Sequence, residues 1–233
     1  MTTPAAHPAR YNPRLLDLFA IILHKEVHVK PPGRLLDPMA GTGERLADLQ
    51  TATGWLAQGI ELEPVFIVRK DIVDQGDACN LMFPTGWFHA IVVSPTYGNG
   101  MNDHFLSSEG SARHTYVHRA RAIRNEPSYL LPLNNTGRWH FDTPEYRILH
   151  EQAWRESVRV LAPGGVFILN TKNAVSRQRR ETCYCVTAWH VGLLIELGLV
   201  VESVHAVGLG GLTHGDNRER VGWEDVTVLR KVR

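Results

Sequence analysis

Cysteine is scarce in this 233-residue chain: Cys79, Cys183 and Cys185 are all it has. Their odd number argues against a disulfide framework, and the Cys-Tyr-Cys spacing matches no zinc-ligand pattern. Net charge is also missing. Twenty-five Lys and Arg oppose 24 Asp and Glu, leaving +1. No global field draws such a chain to nucleic acid or membrane, so any basic footprint has to be local. No apolar run approaches the roughly 20 residues that a membrane-spanning helix needs. The opening Met1-Thr2-Thr3-Pro4-Ala5-Ala6-His7 has neither the basic patch nor the apolar run of a secretory leader. These absences lead us to expect a cytoplasmic, reduced protein without metal or membrane partner. What remains is ordinary globular material, 43% hydrophobic and 21% charged. The length suits one domain, residues 1–233, with a substantial core.

Within that domain the pattern alternates. Arg14 to His24 carries apolar residues at helical spacing behind Asn12-Pro13, a cap and first-turn pair. After Pro31-Pro32-Gly33, the short strand Arg34–Asp37 leads through a turn into a helix over Glu44–Thr51. A second strand spans Leu56–Leu62, Pro64 opens a predicted helix through Val68 and Ile72, and Ile91-Val92-Val93 is the next strong strand. Strand–helix units of this size predict a parallel, doubly wound α/β sheet. Residues 99–143 interrupt it with a polar stretch rich in Asn, Gly, His and Arg, a length usually kept for function. Glu145–Leu161 restores helical spacing through Ile148, Leu149, Ala153, Trp154 and Val158. Pro163-Gly164-Gly165 precedes the strand Val166–Leu169, and a helix over Thr187–Leu197 closes at Gly198. Leu199–Val207 and Asp225–Leu229 form a terminal strand pair.

The loop after the first strand, Asp37-Pro38-Met39-Ala40-Gly41-Thr42-Gly43, suits a nucleoside. Glycines at 41 and 43 remove Cβ atoms from the path of a ligand, and the loop amides face it. The third glycine of the dinucleotide fingerprint is missing, and no Gly-Lys-Ser/Thr follows as in a phosphate-binding loop. An acid at Asp37 makes sense for a ligand bearing positive charge or donors, such as the ammonium and sulfonium of S-adenosylmethionine. An acid about 20 residues on should take ribose hydroxyls, and Glu61 is better placed for this than Glu63. Glu63 reads as a solvated residue at the following helix start. Asp77, with Ala78 beside it, is positioned to accept from an adenine amino group. Any one of these acids alone would read as a capping or surface carboxylate; the ordered series Asp37, Glu61, Asp77 at successive strand ends is the signal.

Ser94-Pro95-Thr96-Tyr97-Gly98 stops the strand at Ile91–Val93 abruptly, offering a hydroxyl and an aromatic ring at its carboxyl end. With the loop at 37–43, Gly59–Pro64 and Gly76-Asp77-Ala78, this segment makes the chain resemble the class I S-adenosylmethionine-dependent methyltransferases. More narrowly it resembles the DNA amino-methyltransferases of adenine N6 or cytosine N4, including small phage-encoded ones. In that family the last motif reads Asp, Asn or Ser, then Pro-Pro, then an aromatic residue. Thr96 here departs from the second proline.

The resemblance implies a Rossmann-like, seven-stranded, mostly parallel sheet ending in an antiparallel hairpin. It implies a cofactor site built from Asp37, Pro38, Ala40, Gly41, Gly43, Glu61, Asp77 and Ala78, with Tyr11 folding over the methionine end. It places the protein in the cytoplasm, the host's if phage-encoded. Catalysis would fall to Ser94 and the Pro95 carbonyl as acceptors for the target amine. Tyr97 would stack on an extruded base, an interaction of roughly 1–3 kcal/mol. The segment 99–143 would read the target. Asn99, Arg113, Arg119, Arg121 and Arg138 are the candidate DNA contacts, although arginines in a polar loop are commonly just solvated. RNA, the side-chain amide of protein glutamine, and a silent nucleic-acid-binding module of the same fold are the alternatives. A serine at position 94 is found more often with cytosine N4 but leaves the base open.

Overall fold

The computed structural model describes residues 13–27, 29, 32–96, 98, 121, 124–126, 131–175, 183–208 and 222–232. In chain order the elements are α1 (Pro13–Glu26), β1 (Arg34–Asp37), α2 (Glu44–Thr53), β2 (Leu56–Glu61), β3 (Val73–Gln75), β4 (Phe88–Val93), α3 (Pro144–Val160), β5 (Leu161–Thr171), α4 (Val186–Glu196), β6 (Leu199–Gly208) and β7 (Trp223–Lys231). A two-residue ribbon, Ala174–Val175 with Cys183–Tyr184, lies outside the main sheet.

The seven strands run in the order β3-β2-β1-β4-β5-β7-β6. Neighbours from β3 to β5 pair in parallel, and β7 runs antiparallel between β5 and β6. The expected sheet with its terminal hairpin is therefore present. Parallel strands covered on both faces read as unbroken apolar runs, because alternate side chains enter two different cores. On one face Leu35, Ala90, Val92, Val166 and Ile168 pack with Leu15, Phe19, Leu46 and Leu49 of α1 and α2. On the other, Leu36, Ile91, Val93, Phe167 and Leu169 pack with Ala153, Trp154 and Val158 of α3 and Leu194 of α4.

Three expectations need correction. The helix expected from Pro64 to Ile72 is a single 3-10 turn at Pro64–Phe66. The amides of Val68 and Arg69 donate to Thr42 O at 3.3 and 3.0 Å, so tertiary bonds to the loop after β1 replace helical ones. The strand expected from Val166 already begins at Leu161, and its pairing with β4 shifts register between Phe88 and Ala90 to absorb Pro163-Gly164-Gly165. The expected buried face of α3 holds at Ala153, Trp154 and Val158 but not in its first turns. Ile148 is 53% exposed, while Tyr146 and His150 are fully buried.

Candidate active site

The chain reverses its lateral direction at β1, with β2 on one side and β4 on the other. Crevices at the carboxyl ends of strands beside such a switch point are where open α/β sheets bind ligands. The sheet register carries Asp37, Glu61 and Val93 to that edge, so the loops at 38–43, 62–64 and 94–98 leave from it together.

Each acid is fixed by backbone donors. Asp37 is 1% exposed, and its Oδ1 accepts from the Met39 amide at 3.0 Å. Glu61, 7% exposed, accepts from the Gly41 amide through Oε2 at 3.0 Å and from the Glu63 amide through Oε1 at 2.8 Å. One carboxylate thus ties the end of β2 to the loop after β1. Asp77 accepts from the Cys79 amide through Oδ1 and from Asn134 Nδ2 through Oδ2, both at 2.8 Å. Pro38 and Gly41 are buried in this loop, and Ala40 and Ala78 are half-buried beside the two cores. At Gly43 φ is +76°, and a Cβ would lie 2.4 Å from Val73 Cγ2. Glycine there serves the turn and the protein's own packing.

Glu63 differs from its expectation. Its side chain is only 2% exposed and pairs with Arg124 Nη2 at 3.1 Å. The arginine comes from the segment that follows β4, so the burial of Glu63 is a tertiary event. With the Asn134–Asp77 bond, this pair seats the returning arm of that segment over the ends of β2 and β3.

At the end of β4, Ser94 is half-buried and Pro95 buried. Asn170, fully buried at the end of β5, donates through Nδ2 to Ser94 Oγ at 3.1 Å. Thr96 O accepts from the Tyr146 hydroxyl at 2.7 Å. Gly98 has φ +66° and lies against Phe141, whose amide donates to Gly98 O at 2.8 Å. The loop 94–98 is thereby gripped from β5, from α3 and from Phe141. Sequence reasoning missed Asn170 and Tyr146. A polar residue directly after the apolar run Val166–Leu169 was the available sign of Asn170, the same sign that singled out Ser94. Tyr146 stands seven and eight residues before Ala153 and Trp154, a helical spacing that was its available sign.

Among the target-segment candidates, Arg138 donates to Leu131 O and lies 5.3 Å from the Trp139 ring centroid. Arg121 is half-buried, and its carbonyl accepts from the Glu126 amide at 3.0 Å. Tyr11, Tyr97, Asn99, Arg113 and Arg119 lie outside the described residues. Among the described residues no helix is long and apolar enough to cross a membrane, and no group of three His, Cys, Asp or Glu is arranged to hold a metal ion.

Strand order defines a Rossmann-like methyltransferase fold, with Asp37, Glu61 and Asp77 at the carboxyl edge of its parallel strands. No family model and no curated protein sequence matches the chain. Solved structures do. One from Galdieria sulphuraria, named as a sarcosine dimethylglycine methyltransferase, superposes with TM-score 0.60 at 12% identity, covering 98% of this chain and 93% of that one. A SAM-dependent methyltransferase from Methanosarcina mazei gives 0.56 at 13% identity, covering 91% and 97%. A geranyl diphosphate methyltransferase in complex with GPP and sinefungin also gives 0.56 at 13% identity, covering 94% and 79%. At these identities the likeness is one of fold.

Proposed function

We propose that this chain binds S-adenosylmethionine and transfers its methyl group to the exocyclic amine of a base flipped out of DNA, at cytosine N4 or adenine N6. The observation that carries the reading is the meeting, beside β1, of two loops with complementary chemistry: a carboxylate-lined loop after β1 and β2, and the Ser94-Pro95 turn after β4.

The residues fit the cofactor by their donor and acceptor character. Buried carboxylates fixed by backbone amides suit a ligand rich in donors and positive charge, and they suit a polyphosphate poorly. Asp37 would take the methionine end, Glu61 the ribose hydroxyls and Asp77 the adenine amine. When bound, S-adenosylmethionine supplies an electrophilic methyl group on a sulfonium.

The protein's own part is positioning. Ser94 Oγ and the Pro95 carbonyl accept from the target amine, which draws its nitrogen toward tetrahedral geometry and frees its lone pair. Asn170 holds the serine oxygen in place from β5. Holding two reactants in line accounts for most of the acceleration that such a site can offer, with no covalent intermediate. Tyr97 stacks on the extruded base. Support for nucleic acid as substrate is the local excess of Arg and His, interleaved with Tyr116, Tyr129 and Trp139, in residues 99–143 of a chain otherwise near neutrality.

The test is incubation with DNA and S-adenosylmethionine followed by nucleoside mass spectrometry. N4-methylcytosine or N6-methyladenine is the expected product. Unmodified DNA alongside methylated RNA or methylated protein glutamine would overturn the assignment. Tyr97→Ala is expected to abolish transfer almost entirely while cofactor binding by calorimetry stays near normal.

A further inference from the structure

We propose that Tyr146 and His190 are positioning residues for methyl transfer, forming with Trp154 a one-way hydrogen-bond chain that holds the Thr96 carbonyl and so the peptide leading into Tyr97. The role in transfer rests on the function proposed above; the chain itself rests on geometry alone.

Its direction follows from donor chemistry. An indole N–H can only donate, and Trp154 Nε1 lies 2.9 Å from His190 Nδ1. Nδ1 therefore carries the lone pair and Nε2 the proton. Nε2 lies 3.0 Å from the Tyr146 hydroxyl oxygen, to which it donates. The tyrosine proton is then committed to Thr96 O at 2.7 Å. All three side chains are 0% exposed, and the two bonds to His190 are buried, so water does not compete at either of them. Burial and the neighbouring His150 hold His190 well below the ordinary histidine range, in the neutral form that the chain requires.

The carbonyl at residue 96 is where the loop needs holding. Ser94 is secured by Asn170 and Gly98 by Phe141. Between them, Thr96 Oγ1 is buried and has no hydrogen-bond partner among the described residues. A proline would restrict φ covalently at this point; threonine does not. The restraint comes from outside the loop instead. Tyr146 and Trp154 stand two turns apart on α3, and His190 reaches across from α4, so the loop's position is referenced to these two helices. Small misplacements of reacting groups can cost about 100-fold in rate.

Tyr146→Phe keeps the ring and removes the hydroxyl, breaking the bond to Thr96 O and the one accepted from His190. We expect kcat on DNA to fall at least about 10-fold while the cofactor Kd, read by calorimetry with sinefungin, changes less than about 2-fold. Adding Thr96→Pro should restore most of kcat without restoring Tm, with Thr96→Pro alone as control. A merely structural tyrosine would give neither the split nor the rescue. Amide exchange across 94–98, measured in the same proteins, should speed up at least about 10-fold in Tyr146→Phe. Wild-type kcat in Tyr146→Phe, a parallel loss of kcat and cofactor affinity, or unchanged exchange at 94–98 would each overturn the proposal. Wild-type protein that methylates no DNA would instead refute the proposed activity, and the exchange measurement would still decide the role of the chain.

Discussion

Lowering the pH from 7.5 to 5 should destabilise this protein through two histidines that its fold buries completely. His150 and His190 are 0% exposed and are surrounded by Tyr146, Trp154 and Trp189. Burial lowers the His150 pKa to about 4, and His190 moves in the same direction, with the proximity of His150 as a second cause. Below the ordinary value of 6.5 the unfolded chain takes up protons that the folded chain refuses, so stability falls with pH. The contribution is complete above pH 6.5 and is lost progressively toward pH 4. For His150 the slope is about 1.4 kcal/mol per pH unit, or about 2 kcal/mol by pH 5. In a chain of this length that is a Tm shift of roughly 4–8 °C, and His190 adds to it with the same sign. Glu156 is held low by Arg159, so its own loss begins only below the ordinary glutamate range, outside this window. Urea melts at half-unit pH steps measure the slope. His150→Asn, which keeps a donor for Tyr146 O but cannot titrate, should reduce it by about 1.4 kcal/mol per unit. A flat profile between pH 7.5 and 5, or an unchanged slope in that variant, would refute the reasoning.

Glu61→Ala removes the acceptor of the Gly41 and Glu63 amides. It should cost about 1–3 kcal/mol in melts and weaken sinefungin binding by at least about 10-fold in calorimetry. Gly98→Ala forces a side chain onto φ +66° and places a Cβ 2.7 Å from Phe141 Cβ. A loss of about 1–3 kcal/mol is expected, with kcat falling and cofactor affinity retained. Arg124→Ala takes a charge partner from the buried Glu63 carboxylate and should destabilise by about 1–3 kcal/mol; adding Glu63→Gln should recover part of this in the same melts.

Much of the architecture can be read along the chain because its signals are local. β-branched runs at Ile91–Val93 and Val166–Leu169, the glycines and prolines that stop them, and the apolar spacing of α1, α2 and α4 report short-range preferences that the tertiary fold leaves intact. The acids at 37, 61 and 77 are legible for a related reason. Strand ends are visible in sequence, and a parallel sheet brings such ends to one edge. Ser94 follows the same logic.

Other features depend on partners distant in sequence. Whether the segment after Pro64 becomes a helix was decided by Thr42 O capturing the amides of Val68 and Arg69. Glu63 looks like a solvated carboxylate until Arg124 arrives from 61 residues away. The inward face of α3 carries Tyr146 and His150 rather than Ile148, because polar-tipped rings can be buried where hydrogen bonds await them: the Tyr146 hydroxyl meets Thr96 O and His190, and His150 Nδ1 donates to Tyr146 O. The residue that departs from the resembled motif shows the division most clearly. Sequence determined that position 96 is a threonine at a strand end, without the covalent restraint of a proline. Only the tertiary structure decided that its carbonyl is held all the same, by a donor chain whose direction is set by an indole that can only give its proton.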